Sequence, residues 1–386
     1  MPDPQGLERV KNLITRFYRK NPVDGPDRIA EREFGVGTFD RKIATRHMSF
    51  RSAMELNRYL SIEAPPYVSY SNSYYRNPDW RPMERKGWIG AELVFDLDVT
   101  DMNLKCQAVH GRKWVCEQCF EAVRAETLKL IEDFLVPDFG FDRKRIRVNF
   151  SGNRGYHVHV SEDSVIGLDG NARKEITDYI AGIGIEMNEF FPTLGMRGKS
   201  LVGPRPTDKG WRRRMATHFV ASLNAGPQAM EELGIDQKTA RMLYRKRALI
   251  QMGINNGNWD MVYIKNKAEF WKRIIENQTI KQSDKIDRNV TNDVSHLIRL
   301  PGTIHGETGL VARELDSVNE LASYDPMRSA IAFPEGDLKI KVKTDFPLFM
   351  NGMRFGPYAE SVQRLPMYAA VYLYLKGFAT IIDTTG

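Results

Sequence analysis

Ala91-Glu92-Leu93-Val94-Phe95-Asp96-Leu97-Asp98-Val99 decides how this chain is read: an apolar run of strand length that closes on two aspartates. Strand side chains alternate, so Asp96 and Asp98 share one face with α-carbons about 6.5 Å apart, and both carboxylates can converge on one or two divalent ions. Hard oxygen donors suit magnesium or manganese, and two ions about 3.5 to 4 Å apart stabilise both the attacking and the leaving oxygen of a phosphoryl transfer. Two solvated acids at a strand end is the competing reading of the same residues.

Downstream lie the chain's three cysteines, Cys106, Cys116 and Cys119, with His110 among them. So few cysteines, so close together, make poor material for a disulfide framework. Three thiolates and an imidazole instead complete the tetrahedral shell that zinc prefers, and four protein ligands make the site closed and structural. A set of merely buried cysteines explains neither the Cys-x2-Cys spacing nor the histidine. Ala122 to Leu135 then reads as a helix, and Arg145 to Phe150 and Tyr156 to Val160 as strands joined by Ser151-Gly152-Asn153-Arg154-Gly155. Two glycines free that turn to aim backbone N–H groups at an anion, Arg154 can bind phosphate oxygens, and Ser151 can donate a further hydrogen bond. His157 and His159 share a face of the second strand. The alternative is an ordinary glycine hairpin with one satisfied core histidine. A helix from Arg173 to Phe191, with Ile176, Ile180, Ile183 and Met187 on one face, completes a strand, helix, hairpin and helix succession. It implies an α+β unit, a small sheet with helices on one side.

Further out, Leu7, Val10, Leu13, Ile14 and Phe17 recur at helical spacing, and Ser52-Ala53-Met54-Glu55 is a capping box opening a helix with Leu56, Tyr59 and Leu60. Residues 192–277 read as a helical insertion containing a basic stretch, Arg197, Lys199, Arg205, Lys209, Arg212, Arg213 and Arg214, which is either a template-binding surface or a solvated basic loop. Asp284 to Gly306 has the mixed acidic, basic, histidine and glycine content of a site-lining loop, or equally of a surface loop. Leu365 to Ile382 reads as an apolar helix, with Tyr368, Tyr372 and Tyr374 packing on the core or on a partner. The expected layout is a core in two parts, 1–191 with the cysteine knuckle at about 104–121 and 278–345, interrupted by the helical insertion and followed by a C-terminal helical segment, 346–386.

With 386 residues and 42% hydrophobic content the chain can bury a substantial core. No run approaches the roughly 18 apolar residues of a membrane span, and Met1 to Lys20 has no signal-peptide core, so no membrane partner and a cytoplasmic location are expected. A net charge of +7 and a pI of 9.1 raise the odds of a polyanionic partner.

Taken in order, Glu31-Arg32-Glu33-Phe34-Gly35, the Phe-Asp-Leu-Asp strand, the cysteine/histidine knuckle, Ser-Gly-Asn-Arg-Gly-Tyr-His and the late Ile-Asp…His-Leu-Ile-Arg-Leu-Pro-Gly-Thr-Ile-His-Gly stretch resemble the small, catalytic subunit of archaeal and eukaryotic DNA primase. The resemblance implies an α/β core related to RNA-recognition folds, with an inserted zinc knuckle and helical subdomain. It implies a nucleotidyltransferase making short RNA or DNA primers on single-stranded DNA from nucleoside triphosphates, with magnesium or manganese at the catalytic centre and structural zinc. Asp96, Asp98 and Asp287 match the catalytic metal ligands, and Cys106, His110, Cys116 and Cys119 the zinc ligands. Ser151, Arg154 and His157 match residues holding the triphosphate, with Arg299 and His305 as further nucleotide contacts, Asn289 near the ribose, and Arg46 a basic residue of the site. A large regulatory subunit is the implied partner, the simple zinc spacing is more archaeal than eukaryotic, and association with the nucleoid during replication follows. The competing functions are a repair or translesion polymerase of the same superfamily, a non-catalytic zinc-containing nucleic-acid-binding protein, and a nuclease using the same carboxylate logic.

Overall fold

The computed structural model describes residues 4–186, 190–193, 196, 200–260, 270, 274 and 287–382. Met187, Arg197, Lys199 and the run Asp284 to Ile286, named above, lie outside the described residues. The chain divides into two compact units, one of Met1–Lys129, Phe141–Lys174 and Ile286–Gly386, the other of Leu130–Gly140 and Glu175–Lys285.

The first unit carries the strands β1 (Phe34–Thr38), β2 (Arg41–Met48), β3 (Tyr67–Ser71), β4 (Ser73–Tyr75), β5 (Trp88–Ala91), β6 (Leu93–Asp98), β7 (Ile146–Phe150), β8 (Gly155–Val160), β9 (Leu297–Arg299), β10 (Arg313–Glu314), β11 (Asp337–Thr344), β12 (Leu348–Met350), β13 (Met353–Phe355), β14 (Tyr358–Pro366) and β15 (Ala379–Ile381). Its central sheet runs β10-β7-β8-β6, antiparallel throughout. The register pairs Phe95 with Val158 and Val158 with Val148, and pairs Leu97 with Tyr156 and Tyr156 with Phe150, so one face is a continuous apolar layer. Helix Glu117–Lys129 covers that face with Phe120 and Val123; Phe120 meets the Phe150 ring at 6.3 Å. The opposite face carries Asp96, Asp98, His157, His159, Asn149 and Arg147, as the alternation of the strands requires. A second antiparallel sheet, β2-β1-β3-β9, meets this polar face where the Tyr70 ring of β3 stacks on His159.

The apolar run that opened the sequence reading is two strands rather than one. It breaks at Glu92, whose fully buried carboxylate gathers Arg32 at 2.7 Å, Arg147 at 2.9 Å, His159 Nδ1 at 3.0 Å and the Tyr74 hydroxyl at 3.0 Å. After Asp98 the chain turns into a short 3₁₀ helix, Val99–Asp101. Ser52 caps helix Ala53–Glu63 by accepting from the Glu55 N–H, while the Glu55 carboxylate reaches back to the N–H of Arg51.

Two helices end earlier than the sequence suggests. The helix expected from Arg173 to Phe191 is Gly170–Ala181, stopped by Gly182 and Gly184 at positive φ, and Ile183 beyond it is exposed. The helix expected from Leu365 to Ile382 is Met367–Leu375, so the segment 346–386 is helical only at its centre; around it lie β12 to β15. In β11 every second residue is buried, the apolar positions Leu338, Ile340 and Val342 packing beneath Met367–Leu375, and that period of two extends the C-terminal structure as a sheet, β14-β11-β15. Tyr368, Tyr372 and Tyr374 are buried in this packing.

In the second unit helices Gly210–Ala225, Pro227–Glu231, Gln237–Arg245 and Arg247–Asn255 surround a core of Phe219, Leu223, Ile250 and Trp259, whose indole N–H donates to the Pro204 carbonyl at 2.8 Å. Of the basic stretch, Arg212 pairs with Asp208 at 3.0 Å and Arg214 with Asp138, which removes two charges from any uniform basic surface. Among the described residues no helix is long and apolar enough to cross a membrane.

Candidate active site

The end of β6 and the turn after β7 meet across a two-strand register. Asp96 lies opposite His157 and Asp98 opposite Gly155, which sets the two acids beside the Ser151–Gly155 turn. His157 Nε2 stands 3.7 Å from an Asp96 oxygen. The turn's cation, Arg154, shares its Nε–H between the two Asp98 oxygens at 2.8 and 3.1 Å, and Asp98 also accepts from Thr100 N–H at 2.7 Å and from the Thr100 hydroxyl at 2.6 Å. Asp287 arrives from the far end of the chain: its N–H donates to the Asp96 carbonyl at 3.1 Å, and its carboxylate caps helix Arg288–Asn292 through the Asn289 N–H at 2.9 Å.

Burial pushes the Asp96 carboxyl up to about 8, and the like charges of Asp98, Asp287 and Asp101 add to the rise. The neighbouring Asp101 is raised for the same reasons, burial first and then Asp98 and Asp287. These acids repel one another, with Arg154 offsetting part of the charge at Asp98, and as hard oxygen donors they could hold divalent magnesium or manganese. Asp101 was not singled out in the sequence, although its position five residues after Asp96, just past the strand end, could have drawn attention to it.

The Ser151–Gly155 turn is tightly built. Ser151 Oγ accepts from the N–H groups of Asn153 at 3.3 Å and Gly155 at 3.2 Å. Gly152 takes φ 81, and a β-carbon there would lie 2.9 Å from His305 Cβ. His305 is thereby set against the turn, with its ring edge-on to Tyr67 at 5.3 Å. Arg299 stacks on the other residue of that group, its guanidinium 4.8 Å from the Tyr67 centroid, and burial draws it down to about 10. Burial also holds His157 and His305 well below the usual histidine value, helped in both by the charge of Arg299. Both rings are therefore neutral near pH 7, and among the described residues His157 Nδ1 has no hydrogen-bond partner.

The expected residues do not all converge. Asn289 is exposed, and its contact with the acids is through its own N–H. Arg46 is committed to the buried Glu33, at 2.8 and 3.3 Å, and to the Ser295 carbonyl at 3.2 Å. His159 is spent on Glu92. Residues missed in the sequence crowd the turn: the Asn153 side chain bridges Glu307 at 3.2 Å and Lys376 at 2.9 Å, and Glu307 pairs with Lys42 at 3.4 Å. Glu307 directly follows the His305-Gly306 pair and was within reach of motif reading; Lys376 had no local signal.

Beyond the acids, the cysteine knuckle follows the 3₁₀ turn. Cys106, His110, Cys116 and Cys119 bring their ligand atoms within 4.8 Å of one another. Cys119 Sγ lies 3.5 Å from Cys106, 3.7 Å from Cys116 and 3.6 Å from His110 Nε2. A tetrahedron with bonds of about 2.3 Å has edges of about 3.8 Å, so the quartet has the span of a tetrahedral thiolate and imidazole site. His110 Nδ1 donates to the Gly111 carbonyl at 2.7 Å, which leaves the Nε2 lone pair facing the thiolates.

Residues 95–317 match the family model described as DNA primase small subunit. The chain is 35% identical to the DNA primase small subunit PriS of Methanococcoides burtonii, over 96% of this chain and 97% of that one. It is also 35% identical to PriS of Methanothrix thermoacetophila, over 96% and 98%, and 32% identical to PriS of Thermoplasma acidophilum, over 95% and 98%. The chain belongs to the DNA primase small subunit family. As a primase small subunit it is a primer-synthesising nucleotidyltransferase, and the matched segment runs from β6 through the knuckle and the turn to residue 317.

Proposed function

We propose that the polar face of β6 and β8 is the centre of primer synthesis, with Asp96, Asp98 and Asp287 as ligands of two magnesium or manganese ions. The observation that carries this reading is that Asp96 and Asp98 share one face of β6 while Asp287 is tied to the Asp96 carbonyl at 3.1 Å, which gathers three acids beside the Ser151–Gly155 turn. When bound, such ions lower the pKa of an attacking 3′-hydroxyl and neutralise charge on the α-phosphate and the pyrophosphate.

The chain's own groups hold the rest. The Ser151–Gly155 turn, Arg154 and Arg299 receive the triphosphate of an incoming nucleoside triphosphate, and the neutral rings of His157 and His305 contribute hydrogen bonds rather than charge. Asn289 lies towards the ribose, and Arg46 acts from the rim, where its bond to Glu33 sets its position. The substrate template is single-stranded DNA; two nucleotides are joined first and the product is then extended. Zinc fills the cysteine knuckle and fixes the chain that follows Asp98, since Gln107 within the knuckle donates to the Val99 carbonyl at 2.9 Å. A large regulatory subunit joins this chain for controlled initiation, and the complex acts at the nucleoid in the cytoplasm.

The test is priming on single-stranded DNA with labelled ATP or dATP and magnesium or manganese, with a large subunit added and omitted. The wild-type chain forms labelled oligonucleotides without a primer, and Asp96→Ala does not. Undiminished synthesis by Asp96→Ala overturns the assignment.

A further inference from the structure

Lys376 lies outside the segment 95–317, at the end of a helix whose sequence carries no recognised motif. Helix Met367–Leu375 closes on it in a Schellman turn: Gly377, at φ 80, donates to the Tyr374 carbonyl at 3.0 Å, and Phe378 to the Leu373 carbonyl at 2.8 Å. Phe378 then packs edge-on against Trp114 at 5.1 Å. The helix end is thus anchored on both sides of Lys376, and its ammonium donates to Asn153 Oδ1 at 2.9 Å, within the turn that links β7 and β8.

The charge balance at this point is incomplete. Burial draws the Lys376 ammonium down to about 8; Glu307 opposes the shift and Arg154 adds to it. Among the described residues no carboxylate pairs with Lys376 at ion-pair distance; its hydrogen-bond acceptor is a neutral amide. Glu307 and Asp98 act on this partly buried ammonium only from beyond ion-pair distance, which leaves a cost that an anion in direct contact would remove. Arg154, the cation of the turn itself, is engaged by Asp98. Lys42 is paired with Glu307 at 3.4 Å and Arg154 with Asp98, so of the cations that act on His305 the Lys376 ammonium is one whose hydrogen bond goes to a neutral group of the turn. The negative end of a helix favours a cation in general, but does not account for one that reaches into a neighbouring turn.

We propose that Lys376 is a ligand of the terminal phosphates of the incoming nucleoside triphosphate, supplied by the C-terminal helix to the Asn153 side of the turn. This rests on the reading of the Ser151–Gly155 turn as the triphosphate site.

The test uses the full-length protein in two measurements: equilibrium binding of inorganic tripolyphosphate with magnesium, and extension of an annealed primer over a range of nucleotide concentrations. Lys376→Met weakens tripolyphosphate binding roughly tenfold, as the loss of one charge-assisted hydrogen bond would, and raises KM by a similar factor with kcat nearly unchanged. Lys376→Arg restores most of both, and Lys341→Met, on the exposed face of β11, changes neither. Wild-type binding and KM in Lys376→Met overturn the proposal, as does a loss confined to kcat. Should Lys376→Met not fold, Lys376→Gln is judged by the same two measurements. A wild-type protein that binds tripolyphosphate through Lys376 yet extends no primer supports the phosphate ligand and refutes the priming centre.

Discussion

Asp287 donates its backbone N–H to the carbonyl oxygen of Asp96 at 3.1 Å, so two of the clustered acids are tied by main chain rather than by side chain. Substituting either carboxylate leaves that tie in place, and the consequences can be read as changes of charge.

Asp96→Asn therefore abolishes nucleotide incorporation, by more than roughly 100-fold, while raising the thermal midpoint by about 2 °C in the presence of chelator, because a repelled acid is removed from the cluster. Manganese raises the midpoint of the wild type and not of the variant. Calorimetry in chelator and in manganese checks both; equal metal stabilisation of the two proteins would remove Asp96 from the ligand set. Asp287→Asn is the matching variant, since an amide still caps the Asn289 N–H.

Glu92 predicts a pH dependence of stability. Burial alone would raise its carboxyl, but Arg32, His159 and Arg147 overcome that and hold it well below the usual range. A depressed folded-state pKa contributes stability that is present above the unfolded value of about 4.3 and is lost as pH falls through the folded one. Glu92→Gln leaves Arg32 buried without its partner, at a cost of about 3 to 5 kcal/mol near neutral pH. Denaturant curves for the two proteins converge as pH falls below about 4. A gap that stays constant to low pH would show that charge at Glu92 is not the cause.

The knuckle should carry one metal ion per chain. Cys116→Ser, or a strong chelator, removes it and lowers the thermal midpoint, with the larger loss of order expected around Lys105–His110, a helix too short to stand without its ligand. Metal analysis and hydrogen exchange report the two effects separately.

Gly152→Ala tests the fit between the turn and His305. The left-handed conformation costs an alanine about 1 kcal/mol, and the added methyl group would meet His305 Cβ at 2.9 Å and the Ala312 nitrogen at 3.1 Å. Gly140→Ala has a similar φ of 73 with nothing within 4 Å, so it carries the conformational cost alone. Denaturant midpoints should fall further in Gly152→Ala, and KM should rise only there.

What could be read from the sequence was what repeats locally. The alternation of Leu93 to Asp98 and of Gly155 to Val160 sorted the two faces of the central sheet, and the spacing of Cys116 and Cys119 marked the knuckle, because each depends on near neighbours. The break at Glu92 was hidden, since its four partners, Arg32, Tyr74, Arg147 and His159, come from distant parts of the chain. Arg46 carried a basic residue's signature but not its partner, Glu33, which only the pairing of β1 with β2 supplies. Asp287 needed the family resemblance, and Lys376 needed the fold.

The order of synthesis gives the distance between Asp96 and Asp287 along the chain a further meaning. A ribosome releases β6, the knuckle and the β7–β8 hairpin well before helix Arg288–Asn292, and β9, which completes the β2-β1-β3-β9 sheet, later still. An interrupted product could close its cysteine quartet and pair β6 with β8, yet it would hold two of the three proposed metal ligands and an unpaired strand edge at β3. On the proposed ligand set, a product that stops before Asp287 would lack one metal ligand while presenting an edge open to pairing with other chains, so synthesis of the remaining chain would both complete the site and cover the edge.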